Sequence, residues 1–121
     1  MKRTMFAGLA LAGLLTPALA EGMKLPDIKN EATKTECSAC HMAFQPQMLP
    51  ARSWQAIMGD LANHFGENAE LEPAVAEEIT AYLVANAADA NGKKNRLMRR
   101  IKDSETPLRI TETPWWVRSH Q

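Results

Sequence analysis

Apolar residues recur at three- and four-residue steps through Trp54, Ile57, Met58, Leu61 and Phe65. That spacing predicts an amphipathic helix opened at Pro50 and ended by Gly66. A second such pattern runs from Pro73 to Asn86, with Val75, Ile79 and Leu83, and Tyr82 at its margin, on one face. A short helix is expected from about Thr33, broken at Gln45-Pro46-Gln47. No strand pattern and no internal repeat stand out, so the expected fold is all-α.

The two ends of the chain read differently. Lys2 and Arg3, the apolar run Met5 to Leu15 and the small-x-small segment Ala18-Leu19-Ala20 form a secretory signal peptide. Residues 1–20 are therefore expected to be removed after Ala20, leaving a periplasmic chain. A retained membrane anchor is the alternative. Residues 21–88 form the expected helical domain. Residues 89–121 form a basic linker followed by an irregular, Trp-rich extension. Six of the ten residues from Lys93 to Lys102 are basic, which reads as a solvated face or linker, or as a docking patch for an acidic partner. The adjacent Trp115 and Trp116 are expected to pack on a cofactor or another domain rather than stay wet.

Signal removal takes two of the fourteen basic residues, leaving twelve against fourteen acidic. That balance argues against DNA or RNA binding. No serine–histidine–acid or paired-carboxylate arrangement stands out, so the chain reads as a non-enzyme.

The chemistry concentrates at Cys37-Ser38-Ala39-Cys40-His41. Two cysteines two residues apart, followed by histidine, form a c-type haem attachment sequence. The thiols can add to the haem vinyl groups while His41 coordinates the iron. The same cysteine pair could serve a zinc site or a thioredoxin-like redox site. Zinc would need His64 and His120 as further ligands, and no β-branched strand precedes Thr35 to supply the thioredoxin context.

His41 leaves one axial position of the iron open. His64 shares the apolar side of the expected helix, seven residues after Ile57 and three after Leu61, and is the favoured second ligand. Met48, in a proline-flanked loop, and His120, beside the tryptophan pair, are the rivals. Two histidine ligands favour ferric iron relative to a methionine/histidine pair. A missing or displaceable ligand would instead make a protein that binds O2 or NO.

Several segments in order resemble the bacterial dihaem cytochrome c family: Cys37 to Phe44, Leu49 to Trp54, His64 to Ala69, Glu78 to Leu83 and Arg109 to Trp116. The resemblance implies a small cytochrome c-like helical domain wrapped round covalent haem c. It implies a single-electron carrier with a low-potential, bis-histidine haem. It also implies redox protein partners, among them a membrane cytochrome b or an oxygen-binding monohaem cytochrome. The family carries a second Cys-x-x-Cys-His after its tryptophan segment, and this sequence has one such motif. One haem is therefore expected here, in a truncated or monohaem relative, and a second would need sequence beyond residue 121. On the truncated reading, His120 is an axial ligand of the second haem.

Overall fold

The computed structural model describes residues 23–121; the expected signal peptide lies outside them. Among the described residues the regular elements are helices: α1 (Glu31–Cys37), α2 (Ala51–Met58), α3 (Pro73–Ala85) and α4 (Pro114–Ser119), joined by short 3-10 turns. None is long and apolar enough to cross a membrane.

Local chemistry sets the ends of α1. The Asn30 carboxamide oxygen accepts from the Thr33 backbone N–H at 2.7 Å and from its hydroxyl at 2.8 Å, capping the first turn. The same side chain donates to Glu78 on α3 at 2.7 Å, and the Lys29 N–H donates to the Tyr82 hydroxyl at 2.9 Å. These contacts fix α1 on α3, so the cysteine motif at its C-terminal end has a set place against the core.

Helix α2 starts one residue after Pro50, as the sequence implies, but its first N–H is satisfied from afar. The Ala51 N–H donates to Asp89 Oδ1 at 2.8 Å, and Arg52 lies 3.7 Å from the same carboxylate. The Arg52 guanidinium also donates to the carbonyls of Glu105 and Lys102, at 2.6 and 2.9 Å. One turn of α2 thus ties down two stretches of the C-terminal segment.

The helix also stops earlier than the periodicity implies. It ends at Met58, with the Gly59 N–H closing on the Gln55 carbonyl at 2.9 Å. Asp60 then takes φ −137°, ψ 50°, outside the helical region. Leu61–Asn63 form a separate 3-10 turn. The apolar spacing survives the break because Trp54, Ile57, Met58 and Leu61 line the same interior. Helix α3 matches its expected span, with Ile79 and Leu83 buried.

The main core gathers Leu49, Trp54, Ile79, Leu83, Ala87 and Ile110. Trp54 is buried with its Nε1–H donating to the Pro46 carbonyl at 2.8 Å, so its polar edge is satisfied. Ile79 is fully buried, and truncating it to alanine is expected to cost about 2–5 kcal/mol. Thermal unfolding followed by helical circular dichroism checks that figure.

The basic run is two-sided. Lys93, Arg96, Arg99 and Arg100 are exposed, while Met98 and Ile101 pack with Ala88 in a second small core. Asn95 holds the turn by accepting from the Leu97 and Met98 N–H groups, and it donates to the Gln47 carbonyl at 2.7 Å. Both tryptophans of the pair are half-buried. Trp116 packs against the main core, and His120 stacks on its ring with centroids 4.0 Å apart. Pro114 at the first helical position and the Thr113 cap explain why a short helix forms there.

Candidate functional site: a histidine-faced apolar cavity

A cavity of about 860 Å³ opens beside the cysteine motif, within the size range of cofactor pockets. Its walls include Leu49, Trp54, Ile79, Leu83 and Ile110, which are five of the six residues of the main core. The core is therefore a shell around the cavity rather than a solid plug. Ile57, Met58 and Leu61 complete the apolar lining from α2 and the turn after it, and Leu71 closes it from before α3.

Cys37, Cys40 and His41 stand at the edge of this space, where α1 ends and the chain turns. Ser38 caps the helix end by donating its hydroxyl to the Lys34 carbonyl. Both cysteines are free thiols. Burial, and then the Glu36 carboxylate, push the Cys37 thiol above its ordinary pKa. A reactive redox cysteine takes the opposite shift, commonly at a helix N-terminus. The position at the end of α1 therefore speaks against the thioredoxin-like alternative. No cluster of three or more His, Cys, Asp or Glu able to hold a metal ion occurs among the described residues, so the zinc alternative finds no site.

Opposite His41 stands His64. Their ring centroids are 6.2 Å apart and their planes differ by 14°. Metal–imidazole bonds of about 2.0 Å on each side, with roughly 1.1 Å from nitrogen to ring centre, span about the same distance. The spacing matches that of one metal ion held between two near-parallel imidazoles. His41 Nδ1 is engaged by the Met42 carbonyl at 2.7 Å, which leaves Nε2 with its lone pair. Burial lowers the His64 pKa, and the facing His41 lowers it further. Both effects keep the ring neutral, the form that ligates a metal. The donor set and the apolar walls fit a haem held by two thioethers and two axial histidines.

His64 reaches this position by a device the helical reading missed. Its N–H donates to the Glu67 carbonyl at 2.7 Å, and the Glu67 N–H returns to His64 at 3.2 Å. Phe65 and Gly66 between them have φ of 55° and 97°, the two positive values of a type I′ turn. The imidazole is presented by a tight hairpin turn, not by a helix face. Phe65, expected as a buried helical position, is instead 45% exposed. Its ring meets His64 edge-on at 4.9 Å and lies under the Arg109 guanidinium at 4.3 Å. The signal in the sequence was Met58-Gly59-Asp60, a stop that the apolar spacing masked. No β-carbon contact opposes a side chain at Gly66, but its φ does. Gly66→Ala is expected to cost about 1–2 kcal/mol, and the change in unfolding midpoint in urea measures it.

The rival ligands lie elsewhere. Met48 packs against the main core and is not part of the cavity wall. His120 is exposed, with its Nδ1 engaged by the Trp116 carbonyl at 2.9 Å, and it does not line the cavity. Neither tryptophan of the pair lines the cavity, and none of Lys93 to Lys102 does. Its wall instead carries Glu36, Glu67 and Glu70, all exposed, together with Arg109.

These features coincide with a defined group of proteins. The family model for dihaem cytochrome c matches residues 33–121. A dihaem cytochrome c from Rhodobacter sphaeroides is 53% identical, with a TM-score of 0.75, over 77% of this chain and 74% of that one. A second structure, of DHC purified from the same organism, is 52% identical with a TM-score of 0.64, over 77% and 71% of the two chains. A dihaem cytochrome c from Shewanella baltica OS155 is 38% identical with a TM-score of 0.59, over 75% of this chain and 60% of that one. No curated protein matches. The chain belongs to the dihaem cytochrome c family. It is an all-α haem c protein of a family whose work is electron transfer.

Proposed function

We propose that this chain is an exported, periplasmic carrier of single electrons, with one haem c on Cys37 and Cys40 and with His41 and His64 as axial ligands. The observation that carries the reading is the His41–His64 pair, near-parallel and 6.2 Å apart across the mouth of an apolar cavity. Bound haem supplies one-electron iron redox chemistry. The chain's own contribution is to hold both imidazoles on short, hydrogen-bonded turns and to exclude water with Leu49, Trp54, Ile79 and Leu83. With both axial positions filled by rigidly held rings, little in the protein needs to move when the charge changes. Two imidazoles and no thioether ligand favour the ferric state, hence a low potential.

The sequence offers one Cys-x-x-Cys-His, which accounts for one covalent haem, and the family's name speaks of two. The gas-binding alternative requires His64 to leave the iron. The engaged His64 turn and its packing on Phe65 favour the electron carrier. Spectroelectrochemical titration tests the proposal. A reversible one-electron wave below the range of methionine/histidine cytochromes supports it, and an irreversible or high-potential wave contradicts it.

The proposed partners are redox proteins, a membrane cytochrome b or an oxygen-binding monohaem cytochrome, in keeping with the family resemblance. Glu36, Glu67 and Glu70 at the cavity, rather than the basic run, set the charge that a partner meets there. Oxidation of the ferrous protein by a small cationic reagent should therefore slow as salt rises. A rate that rises with salt would mean that Lys93 to Lys102 govern the encounter instead.

A further inference from the structure

We propose that Arg109 is a positioning residue for His64: its guanidinium holds the Phe65 ring against the imidazole and so sets how firmly that ligand stays in place. The inference rests on the reading of His64 as an axial ligand.

Phe65 is the one non-glycine residue with positive φ among those described. A bulky side chain rarely accepts that conformation, and at 45% exposure burial alone does not account for it. Two contacts do. The Arg109 guanidinium carbon lies 4.3 Å from the ring centroid, within cation–π range. The ring in turn meets His64 edge-on at 4.9 Å, with planes at 68°. The three side chains form a row from the C-terminal segment to the axial imidazole.

The base of this row is firm. Arg109 precedes buried Ile110, whose carbonyl accepts from the Thr113 N–H at 3.1 Å and from the Thr113 hydroxyl at 2.7 Å. Glu112 lies 3.6 Å from Arg109 Nε on the same turn. That ion pair is exposed and adds little stability on its own. What Arg109 accomplishes is the reach across the cavity mouth. The wall made by residues 108–111 and the His64 turn are far apart in sequence, and the Arg109–Phe65 contact joins them.

The test uses the full holoprotein and carbon monoxide as the probe. Carbon monoxide can take the iron only when His64 leaves, so its limiting binding rate to the ferrous protein reads how firmly His64 is held. Arg109→Gln should raise that rate by about two- to fivefold, the factor that an exposed cation–π contact supports. Arg109→Lys, which keeps the cation, should stay closer to the original protein. Phe65→Leu, which removes the contact with His64 as well, should raise the rate at least as much, and adding Arg109→Gln to it should change little, because Arg109 acts through Phe65. His64→Ala serves as the reference and should bind carbon monoxide without the slow step. An unchanged rate in Arg109→Gln beside a fast His64→Ala overturns the role of Arg109 alone. Additive effects of Arg109→Gln and Phe65→Leu overturn it as well. A His64→Ala protein as slow as the original overturns the ligand assignment and this inference together.

Discussion

Replacing His64 with alanine is expected to convert a six-coordinate low-spin ferric haem into a high-spin one and to open the iron to carbon monoxide. The side chain facing His41 at 6.2 Å is that imidazole. Met48 packs into the core away from the cavity, and His120 stacks on Trp116. Met58 does line the cavity, but it sits in the last turn of α2 among core contacts. The change should be spectroscopic rather than structural, because His64 lies in an exposed turn and α1, α2 and α3 keep their contacts. Helical circular dichroism that stays within a few per cent while the Soret band moves would check both halves of the statement. A low-spin spectrum that persists in His64→Ala would assign the second axial position to another residue.

The second large effect is expected from removing both thiols. A Cys37→Ser, Cys40→Ser chain has no thioether attachment, so its haem should be extractable by acidified organic solvent. Its fold should weaken at the same time, because five of the six main core residues line the cavity. The cavity opens to solvent at one side, so only part of its 860 Å³ counts as unfilled core. Even half of such a volume, at about 24 cal/mol per Å³, costs on the order of 10 kcal/mol. Small domains have only about 5–15 kcal/mol of stability in all. The double variant without haem should therefore lose cooperative thermal unfolding and expose apolar surface to a fluorescent dye. A sharp transition in the haem-free variant would show that the core stands without its cofactor.

Much of this architecture was legible in the residues because it depends on local chemistry. The Cys37–His41 spacing needs only one turn of backbone to bring its three donors together. Helix α3 is written in one uninterrupted pattern from Pro73, and the structure keeps that span. The α2 region shows the limit of periodicity. Trp54, Ile57, Met58 and Leu61 line one interior despite the break, so their spacing could not report the stop at Gly59. The Phe65-Gly66 turn was hidden for the same reason, since a helix that ended at Gly66 already accounted for the glycine.

Other features had no local signal at all. Asp89 caps α2 from thirty-eight residues away, and Arg109 reaches Phe65 from the far wall of the cavity. The basic run hid a small core because Met98 and Ile101 are too few, among charged neighbours, to establish a period, and their partner Ala88 lies outside the run. The tryptophan pair was expected to need a cofactor or another domain for cover. Trp116 also meets the chain's own core and His120, contacts that depend on how α4 folds back.

The central claim is that two histidines fill both axial positions of the iron. The absorption spectrum of the holoprotein, ferric, then dithionite-reduced, then under carbon monoxide, decides it. Bis-histidine ligation should give low-spin bands in both oxidation states, no ferric band near 700 nm of the kind methionine ligation gives, and a reduced Soret band slow to respond to carbon monoxide. A high-spin ferric spectrum, or an immediate Soret shift with carbon monoxide, would contradict it.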